Sequence, residues 1–364
     1  MTGMKKRIRL LFLFPVLLLI AALTPASTLA MKTAPFLGAL NGDQASSAAD
    51  AAQMLRGIAF AKLSEDTNPD LDFTRNGQVD GMDARAVLFY ACGGITDWVS
   101  FGERVSSGLC DERLFDRFSY TGTLDDGMGN YKSENVSVKI LSGRMGNSNY
   151  HIADLYVQDI SCFVTAFGSG EFRGRVRSVR DIFDTVEGGI VAMNGDFYSI
   201  HLFGPVVRNG VTYVDRVTKD YDIAVLQSDG VLMTYDFRTL TKEQLSAMNA
   251  YQTWVFGPAL LDENGQAKTE FHSRVQPANP RTALGYYEPG HYAFIAVDGR
   301  SGESEGMTMA QLSQLCQDLG LARAYNLDGG QSSVLLAKDV VLNVPFQNGR
   351  SVSDILAIRD LPQE

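Results

Sequence analysis

From about residue 119 onward, the chain consists mostly of short runs of β-branched and aromatic residues, and these runs limit the folds that it can adopt. Turns rich in Gly, Asn and Asp separate the runs, which is the pattern of strands joined by tight loops. Helical periodicity is confined to three segments, at 175–186, 241–249 and 307–320. We therefore predict an α+β domain with a large mixed or mostly antiparallel sheet and packed helices.

The most concentrated polar loop in this domain lies at 325–333, where the sequence reads YNLDGGQSS. Asp328 stands where the backbone must bend, and Gly329 and Gly330 allow a positive φ or a close approach to a ligand. Ser332 and Ser333 add two hydroxyl groups. A carboxylate, bare amides and hydroxyls within six residues suit an oxygen-rich ligand such as a sugar or a phosphate. The alternative is a β-hairpin with an Asp-Gly-Gly turn.

The first 30 residues have the layout of a secretory signal peptide. Four basic residues precede an apolar run at 10–23, and small residues lead up to Ala30. An uncleaved membrane anchor is the alternative. We therefore expect a secreted or cell-surface protein. The net charge of −10 argues against a nucleic-acid partner, because such proteins present a basic face.

The four cysteines lie at 92, 110, 162 and 316, with no spacing typical of a zinc site. Export permits a disulfide between Cys92 and Cys110. Cys162 and Cys316 lie in strand and helix patterns, where a buried free thiol is expected. We expect no cysteine chemistry.

Residues 31–118 carry a helix–loop–helix pattern. Apolar residues recur at helical spacing over 46–63 and again over 84–92, on either side of a polar loop at 72–83. This loop has oxygen-bearing residues at the spacing of an EF-hand and a glycine at its sixth position, which predicts a Ca²⁺ site. The predicted ligands are Asp72, Thr74, Asn76, Gln78, Asp80 and Asp83. A solvated turn between two helices is the alternative.

The sequence at 50–55 repeats the Asp-Ala start and the apolar close of 83–88. With this internal duplication, the segment resembles a dockerin module, in which two loop–helix halves each bind calcium. The first half lacks the ligand spacing, so we expect at most one Ca²⁺, with a structural role. The resemblance also implies a cohesin-like or cell-surface partner for this module.

Eight motifs in chain order resemble those of the phosphodiester glycosidase family. They are NGDFY (194–198), FGPVVRNG (203–210), VFGPAL (255–260), PRTALG (280–285), VDGR (297–300), SEGMT (304–308), AYNLDGGQSS (324–333) and RSVSDIL (350–356). Gln331 departs from the commonest family pattern, which has a third glycine there. The chain looks like a bacterial secreted member of a group often labelled exopolysaccharide-biosynthesis proteins. The resemblance divides it into a signal peptide (1–30), a dockerin-like helical module (31–118) and a phosphodiester glycosidase domain (119–364).

The resemblance implies hydrolysis of the sugar C1–O bond of a sugar-1-phosphodiester in a cell-surface or extracellular glycan. The leaving group would be a phosphate monoester, so a strong general acid matters less than in other glycosidases. The site would need positive charge around the phosphate and a carboxylate near the oxocarbenium-like centre. The alternative is a non-catalytic carbohydrate- or cell-wall-binding protein that keeps the glycosidase fold.

The candidate site residues are polar side chains and glycines at strand ends. The candidate catalytic residues are Asp328, Asp298, Asp196 and Arg281, with Arg281 placed for a bidentate phosphate contact. The candidate substrate-binding residues are Asn194, Arg208, Arg300, Glu305, Gly329, Gly330, Ser332 and Ser333. The four histidines lie outside the motifs, and no Gly-x-Ser-x-Gly elbow is present, so we expect neither a histidine base nor a serine nucleophile.

Overall fold

A computed structural model describes residues 47–59, 71–74, 78–92, 108–120, 122–198, 204–218 and 220–362. The predicted signal peptide at 1–30 and the predicted calcium ligand Asn76 lie outside these residues. In the part of the chain that is described, no helix combines the length and apolar character needed to cross a membrane.

Both helices that periodicity predicts near the N-terminus are present, as α1 (Ala48–Ala59) and α2 (Gly81–Ala91). They share an apolar cluster that includes Met54, Val87 and Phe115. This cluster contains residues that follow the helices as well as those within them. The two helices therefore pack as a pair.

The predicted calcium loop is held by its own hydrogen bonds. Asp83 Oδ1 accepts from Thr74 N at 3.0 Å and Thr74 Oγ1 at 3.1 Å, and Asp83 Oδ2 accepts from Asp80 N at 2.8 Å. Asp80 caps α2 by accepting from Met82 N at 2.7 Å. Over the described ranges, no group of three or more His, Cys, Asp or Glu side chains could hold a metal ion. Both oxygens of Asp83 thus stabilise the turn and the helix start, and calcium binding stays a prediction.

Residues 124–359 form four sheets, and every strand pairing in the described residues is antiparallel. The largest sheet has the order β1 (Leu124–Asp125), β2 (Tyr131–Lys132), β3 (Val136–Met145), β4 (Ser148–Val157), β13 (His291–Val297), β12 (Arg281–Glu288) and β14 (Arg323–Asn326). A five-stranded sheet has the order β16 (Val340–Val341), β15 (Leu335–Ala337), β6 (Gly189–Asn194), β17 (Asp354–Arg359) and β5 (Phe163–Phe167). The prediction of a large, mostly antiparallel sheet is confirmed.

Two smaller sheets complete the strand inventory. One has the order β10 (Leu232–Tyr235), β9 (Ile223–Gln227) and β11 (Ala250–Trp254), and the other is the hairpin of β7 (Val206–Arg208) and β8 (Val211–Val214). The helix α4 (Lys242–Ala247) buries Leu245 in a cluster with Ile223 and Val225 of the three-stranded sheet.

The main core lies between the two large sheets. Alternate residues of each strand point to opposite faces, so one set of side chains enters this core and the other set faces away from it. In β13, Tyr292 and Phe294 join the core shared with the five-stranded sheet, whereas Ala293 and Ile295 face a second cluster. The second cluster contains Leu312, Leu315 and Cys316 of α5 (Met309–Asp318). A helix therefore covers the outer face of the seven-stranded sheet.

The five-stranded sheet is covered in the same way on its own outer face. The short helix α3 (Val179–Phe183) buries Val179 and Ile182 against Ala192 of β6 and Ile355 of β17. All three helices predicted for this domain by periodicity are present. The resulting layers are helix, sheet, sheet and helix.

All four cysteines are free: Cys92 is exposed, and Cys110, Cys162 and Cys316 are buried. The Cys110 thiol donates to Val157 O at 3.4 Å. The disulfide considered between Cys92 and Cys110 is therefore not formed, whereas the buried thiols at 162 and 316 agree with the sequence prediction.

The register of the sheets brings the predicted site segments to one end of the fold. Arg281, at the start of β12, pairs with Val297, at the end of β13. In the five-stranded sheet, Asn194 at the end of β6 pairs with Ile355 near the start of β17. Because antiparallel neighbours run in opposite directions, the start of one strand lies beside the end of the next.

The polar loop at 325–333 is not a hairpin, so the hairpin alternative is wrong. The strand before it, β14, belongs to the seven-stranded sheet, and the strand after it, β15, belongs to the five-stranded sheet. Between them, a 3-10 turn at Gly330–Ser332 starts with Gly330 at φ 65°, a left-handed conformation that favours glycine. The loop therefore carries the chain from one sheet to the other.

Gly329→Ala should destabilise this crossing loop. A Cβ at position 329 would lie 2.8 Å from the main-chain oxygen of Pro280, which cannot rotate away. We expect a loss of about 1–3 kcal/mol in the free energy of unfolding, measured by urea denaturation. Gly302→Ala is the control, because a Cβ there meets no atom within 4 Å. Equal losses in the two variants would contradict the prediction.

Candidate active site

The carboxylate of Asp328 is fixed by one of its two oxygens. Oδ2 accepts a hydrogen bond from Ser332 Oγ at 2.6 Å and another from Arg350 Nη2 at 2.7 Å. No residue that the structure describes donates to Oδ1. The side chain of Asp328 is 10% exposed and that of Arg350 is 39% exposed. Asp328 is therefore oriented by the protein while one oxygen is left for a ligand.

Asn194 holds the crossing loop from the neighbouring sheet. Its Nδ2 donates to Asp328 O at 2.6 Å, and its Oδ1 accepts from Thr282 Oγ1 at 2.8 Å and Val334 N at 3.2 Å. Thr282 Oγ1 also lies 3.1 Å from Ser333 Oγ. Asn194 and Ser333 are fully buried, so they hold the loop rather than contact a sugar. The sequence analysis named both as candidate substrate-binding residues.

The amide of Gly330 is less available than the sequence suggests. Gly330 N donates to Pro280 O at 2.9 Å, which ties the loop to the start of β12. Ser332 is also fully buried and directs its hydroxyl to Asp328. The Asp328 carboxylate, in contrast, keeps one oxygen for a ligand.

Arg300 is an exposed cation beside the same loop. Its Nε and Nη2 donate to Asn279 Oδ1 at 3.1 and 2.7 Å, and its guanidinium lies over the Phe346 ring at 5.1 Å. Its Nη2 is 3.3 Å from the position that a Cβ on Gly330 would take. Arg300 therefore flanks the crossing loop on its exposed side.

Arg281 is buried, and its donors serve the protein's own main chain. Nε donates to Met307 O at 2.8 Å, and Nη2 donates to Gln276 O at 3.2 Å and to Pro277 O. The bidentate phosphate contact that the sequence suggested for Arg281 is therefore not available through these two nitrogens. Burial, and then the nearby charge of Arg300, lower the pKa of Arg281 to about 10. The two guanidinium groups together thus raise the positive potential near the crossing loop.

Arg208 and Asp196 belong to a buried ion cluster rather than to an open surface. Arg208 is 1% exposed and donates from Nε to Asp354 Oδ2 at 2.8 Å. Its Nη2 lies 3.7 Å from Asp196 Oδ2. The two oxygens of Asp196 accept from Phe197 N at 2.7 Å and Val255 N at 2.9 Å. Asp196 therefore orders the segment that follows β6.

Burial dominates the electrostatics of this cluster. It raises the pKa of Asp354 to about 6, and the positive charge of Arg208 opposes this shift. Burial also raises the pKa of Asp196, with Arg208 again opposing and the charge of Asp328 adding to the rise. Arg208 Nη2 and Asp354 Oδ1 have no hydrogen-bond partner among the described residues. Opposite charges and the hydrogen bond from Arg208 to Asp354 together hold this group.

Asp298 is 3% exposed, and both of its oxygens are engaged. Oδ1 accepts from Val344 N at 2.7 Å, and Oδ2 lies 3.1 Å from His151 Nε2, whose Nδ1 lies 3.0 Å from Ser142 Oγ. His151 lies outside the motifs, so no sequence signal pointed to this contact. Asp298 therefore anchors the segment that leads to Arg350.

Glu305 lies on the surface and accepts from Asn147 Nδ2 at 3.0 Å. The structure also brings in two residues to which the sequence assigned no role, Arg350 and Asp354. Both lie in the RSVSDIL segment, so the motif indicated this part of the site. It did not indicate that Arg350 pairs with Asp328 or that Asp354 pairs with Arg208.

A cleft of about 760 Å³ opens next to this group. Asp196 and Phe197 line it, and the Phe197 ring lies 5.2 Å from Cζ of Arg350. One aromatic ring therefore separates the cleft from the cation that holds Asp328.

Arg208→Met should lower the free energy of unfolding, and the loss should be larger at high pH. Removing one partner of a buried ion pair costs about 3–5 kcal/mol. The raised pKa of Asp354 means that its contribution to stability is present at low pH and lost as the pH rises through about 6. Without Arg208 the same carboxyl can still be neutral at pH 5 but must ionise at pH 8. We therefore expect the loss of unfolding free energy to be smaller at pH 5.

Urea unfolding at the two pH values measures this difference. Arg359→Met is the control, because Arg359 lies on the same strand as Asp354 but donates from Nε to the main-chain oxygen of Ser161. A loss for Arg208→Met that is the same at both pH values would contradict the prediction.

Comparison with known proteins gives both a family match and a fold match. Residues 187–359 match the model of the phosphodiester glycosidase family. The SPbeta prophage-derived uncharacterized protein YomE of Bacillus subtilis (strain 168) is 29% identical over 183 residues, which are 46% of this chain. This chain spans only 28% of that relative's length.

Among solved structures, the fold is similar to the catalytic domain of zebrafish N-acetylglucosamine-1-phosphodiester alpha-N-acetylglucosaminidase, auto-inhibited by its pro-peptide. The TM-score is 0.50 at 18% identity, covering 62% of this chain and 83% of that one. A hypothetical protein from Synechocystis is also similar, with a TM-score of 0.43 at 14% identity, covering 62% and 63% of the two chains. The chain thus carries a region, 187–359, that matches the phosphodiester glycosidases, on a fold shared with the zebrafish catalytic domain.

Proposed function

We propose that this protein is a secreted bacterial glycosidase that hydrolyses the sugar C1–O bond of a sugar-1-phosphodiester in a cell-surface or extracellular glycan. The match over 187–359 supports the reaction class, and the signal-peptide pattern at 1–30 supports the location. The single observation that carries the proposal is the position of Asp328, which is held through one oxygen by the exposed Arg350.

Asp328 is the carboxylate that acts at the anomeric carbon. It is the candidate whose second oxygen accepts no hydrogen bond from the described residues, whereas both oxygens of Asp196 and Asp298 accept or pair with protein groups. Its hydrogen bonds from Arg350 and Ser332 fix the orientation of the carboxylate. An ionised carboxylate stabilises an oxocarbenium-like centre, and it either bonds to C1 or takes a proton from the attacking water.

Arg350 and Arg300 bind the phosphate. Both are exposed and flank the crossing loop, while Arg281 adds positive charge from below the surface. Nε and Nη2 of both arginines donate to protein groups, and Nη1 of each makes no hydrogen bond to a described residue, so Nη1 can donate to a phosphate oxygen. Positive charge at the leaving group lowers the barrier to breaking the C1–O bond. The phosphate monoester can leave without a proton, so the arrangement does not require a protonated carboxylic acid beside it.

Asp328→Asn should greatly slow sugar release. The protein from residue 31 onward is incubated with a panel of sugar-1-phosphodiesters, and free sugar is followed by NMR. The wild type should release free sugar, and the variant should be slower by about 10²–10⁴-fold because it loses the carboxylate. Asp339→Asn is the control, since Asp339 is a fully exposed aspartate.

The other outcomes are informative in themselves. Release of sugar phosphate would mean cleavage of the P–O bond and would contradict the proposal. No release from any substrate by the folded protein would favour the non-catalytic carbohydrate-binding alternative.

Arg350→Lys should slow the reaction while leaving a larger residual activity than Arg350→Gln. Lysine keeps the charge but cannot donate from two nitrogens to Asp328 and Ser332, as Arg350 does. We expect losses in kcat/KM of about 10-fold for lysine and about 10²–10³-fold for glutamine. Arg323→Lys is the control, because Arg323 donates to the main-chain oxygens of Glu263 and Ala322. Equal activity of both Arg350 variants and the wild type would contradict this role.

A further inference from the structure

The cleft beside Phe197 has an aromatic lining that the proposed chemistry at Asp328 does not use. Its walls include four half-buried aromatic rings, from Phe197, Tyr221, Phe256 and Phe271. These side chains come from three separate segments, the one after β6, the one before β9 and the long connection between β11 and β12. Rings from separate segments thus converge on one space.

Among the described residues, carboxylates outnumber cations in the lining of the cleft, which contains three aspartates and one arginine. Asp222 lines the cleft, but its oxygens accept from Phe237 N at 2.8 Å and Ala259 N at 2.9 Å. Asp196 is engaged in the same way by main-chain amides. The remaining charged side chains in the lining, Asp220 and Arg274, are exposed and of opposite sign. The cleft therefore differs from the cationic loop on the other side of Phe197.

We propose that this cleft binds uncharged sugar rings, so that the substrate is a phosphate-linked oligosaccharide rather than a single sugar on phosphate. This inference rests on the proposed function for the position of the scissile bond. Aromatic rings pack against the C–H faces of pyranoses, and a few polar groups at the rim bind their hydroxyls. Ser273, Asp220 and Arg274 supply such polar groups.

The size of the cleft sets the length of the ligand. Its volume of about 760 Å³ lies within the roughly 300–1,000 Å³ of pockets that enclose drug-sized ligands, which are larger than one sugar ring. The phosphate lies at Arg300 and Arg350, the scissile bond at Asp328, and the sugars extend past Phe197 into the cleft. An acyl chain is the less suitable occupant, because it leaves the rim hydroxyl and charges without partners.

Binding of uncharged disaccharides tests this inference without relying on turnover. The protein from residue 31 onward is titrated with cellobiose, maltose, lactose and N,N′-diacetylchitobiose, and with their monosaccharides, by calorimetry and ligand-observed NMR. At least one disaccharide should bind tenfold or more tightly than its monosaccharide. Phe256→Ala and Phe271→Ala should each weaken that binding by about tenfold or more.

Tyr287→Ala is the matched control. Tyr287 is also a half-buried aromatic residue, stacked on His291 at 4.0 Å, but it lies toward the other end of β12 from Arg281. It should leave disaccharide binding unchanged. Thermal melting establishes that each variant is folded, and if Phe256→Ala is not, Phe271→Ala and Phe271→Leu carry the test.

Three results would overturn the inference. The first is that the wild type binds no disaccharide, and the second is that folded Phe256 and Phe271 variants bind disaccharides as tightly as the wild type. The third is that the protein binds dodecyl phosphate but no disaccharide, and that Phe256→Ala removes the binding of dodecyl phosphate. The proposed function fails separately. If disaccharides bind at the cleft but no phosphodiester is cleaved, the inference stands and the catalytic proposal falls. If monosaccharide and disaccharide phosphodiesters are cleaved with equal kcat/KM and no disaccharide binds, the catalytic proposal stands and the inference about the cleft falls.

Discussion

The hydrogen bonds of Asn194 are the constraint on which the arrangement of this site depends. They join the end of β6 in one sheet to the loop that leaves the other sheet, through Asp328 O, Thr282 and Val334. A buried amide that lost these partners would carry a desolvation cost that the core could not offset locally. The position of Asp328 is therefore determined by the packing of the two sheets.

The charged residues at this end of the fold separate into two groups with different environments. Arg208, Asp196 and Asp354 are buried together and stabilise the segments around the site. Arg350 and Arg300 are exposed and face the loop that carries Asp328. A buried ion cluster is expensive to desolvate, so its value lies in fixing geometry rather than in adding stability. The buried ion cluster thus supports the segments next to the two exposed arginines.

The sequence predicted the strands, the three helices of the domain and the region of the site, because periodicity and turn residues are local signals. It predicted less well what each charged residue does. Arg281 and Arg350 look alike in sequence, yet one donates to main-chain oxygens and the other to Asp328, a difference set by contacts between distant segments. Likewise, Asp-Gly-Gly is compatible with a hairpin, and only the assignment of β14 and β15 to different sheets excludes it. His151 could not have been found, because it meets Asp298 only through the pairing of β4 with β13.

The sharing of Arg350 between Asp328 and the solvent has a thermodynamic consequence. An anion that takes up the donors of Arg350 competes with Asp328 Oδ2 for them and weakens the hold on that carboxylate. By reciprocity, the hold of Asp328 on Arg350 weakens the binding of the anion by the same factor. Within the proposed reaction, the arrival of the phosphate and the release of the carboxylate are then coupled. A phosphate product that stays bound would keep Arg350 away from Asp328.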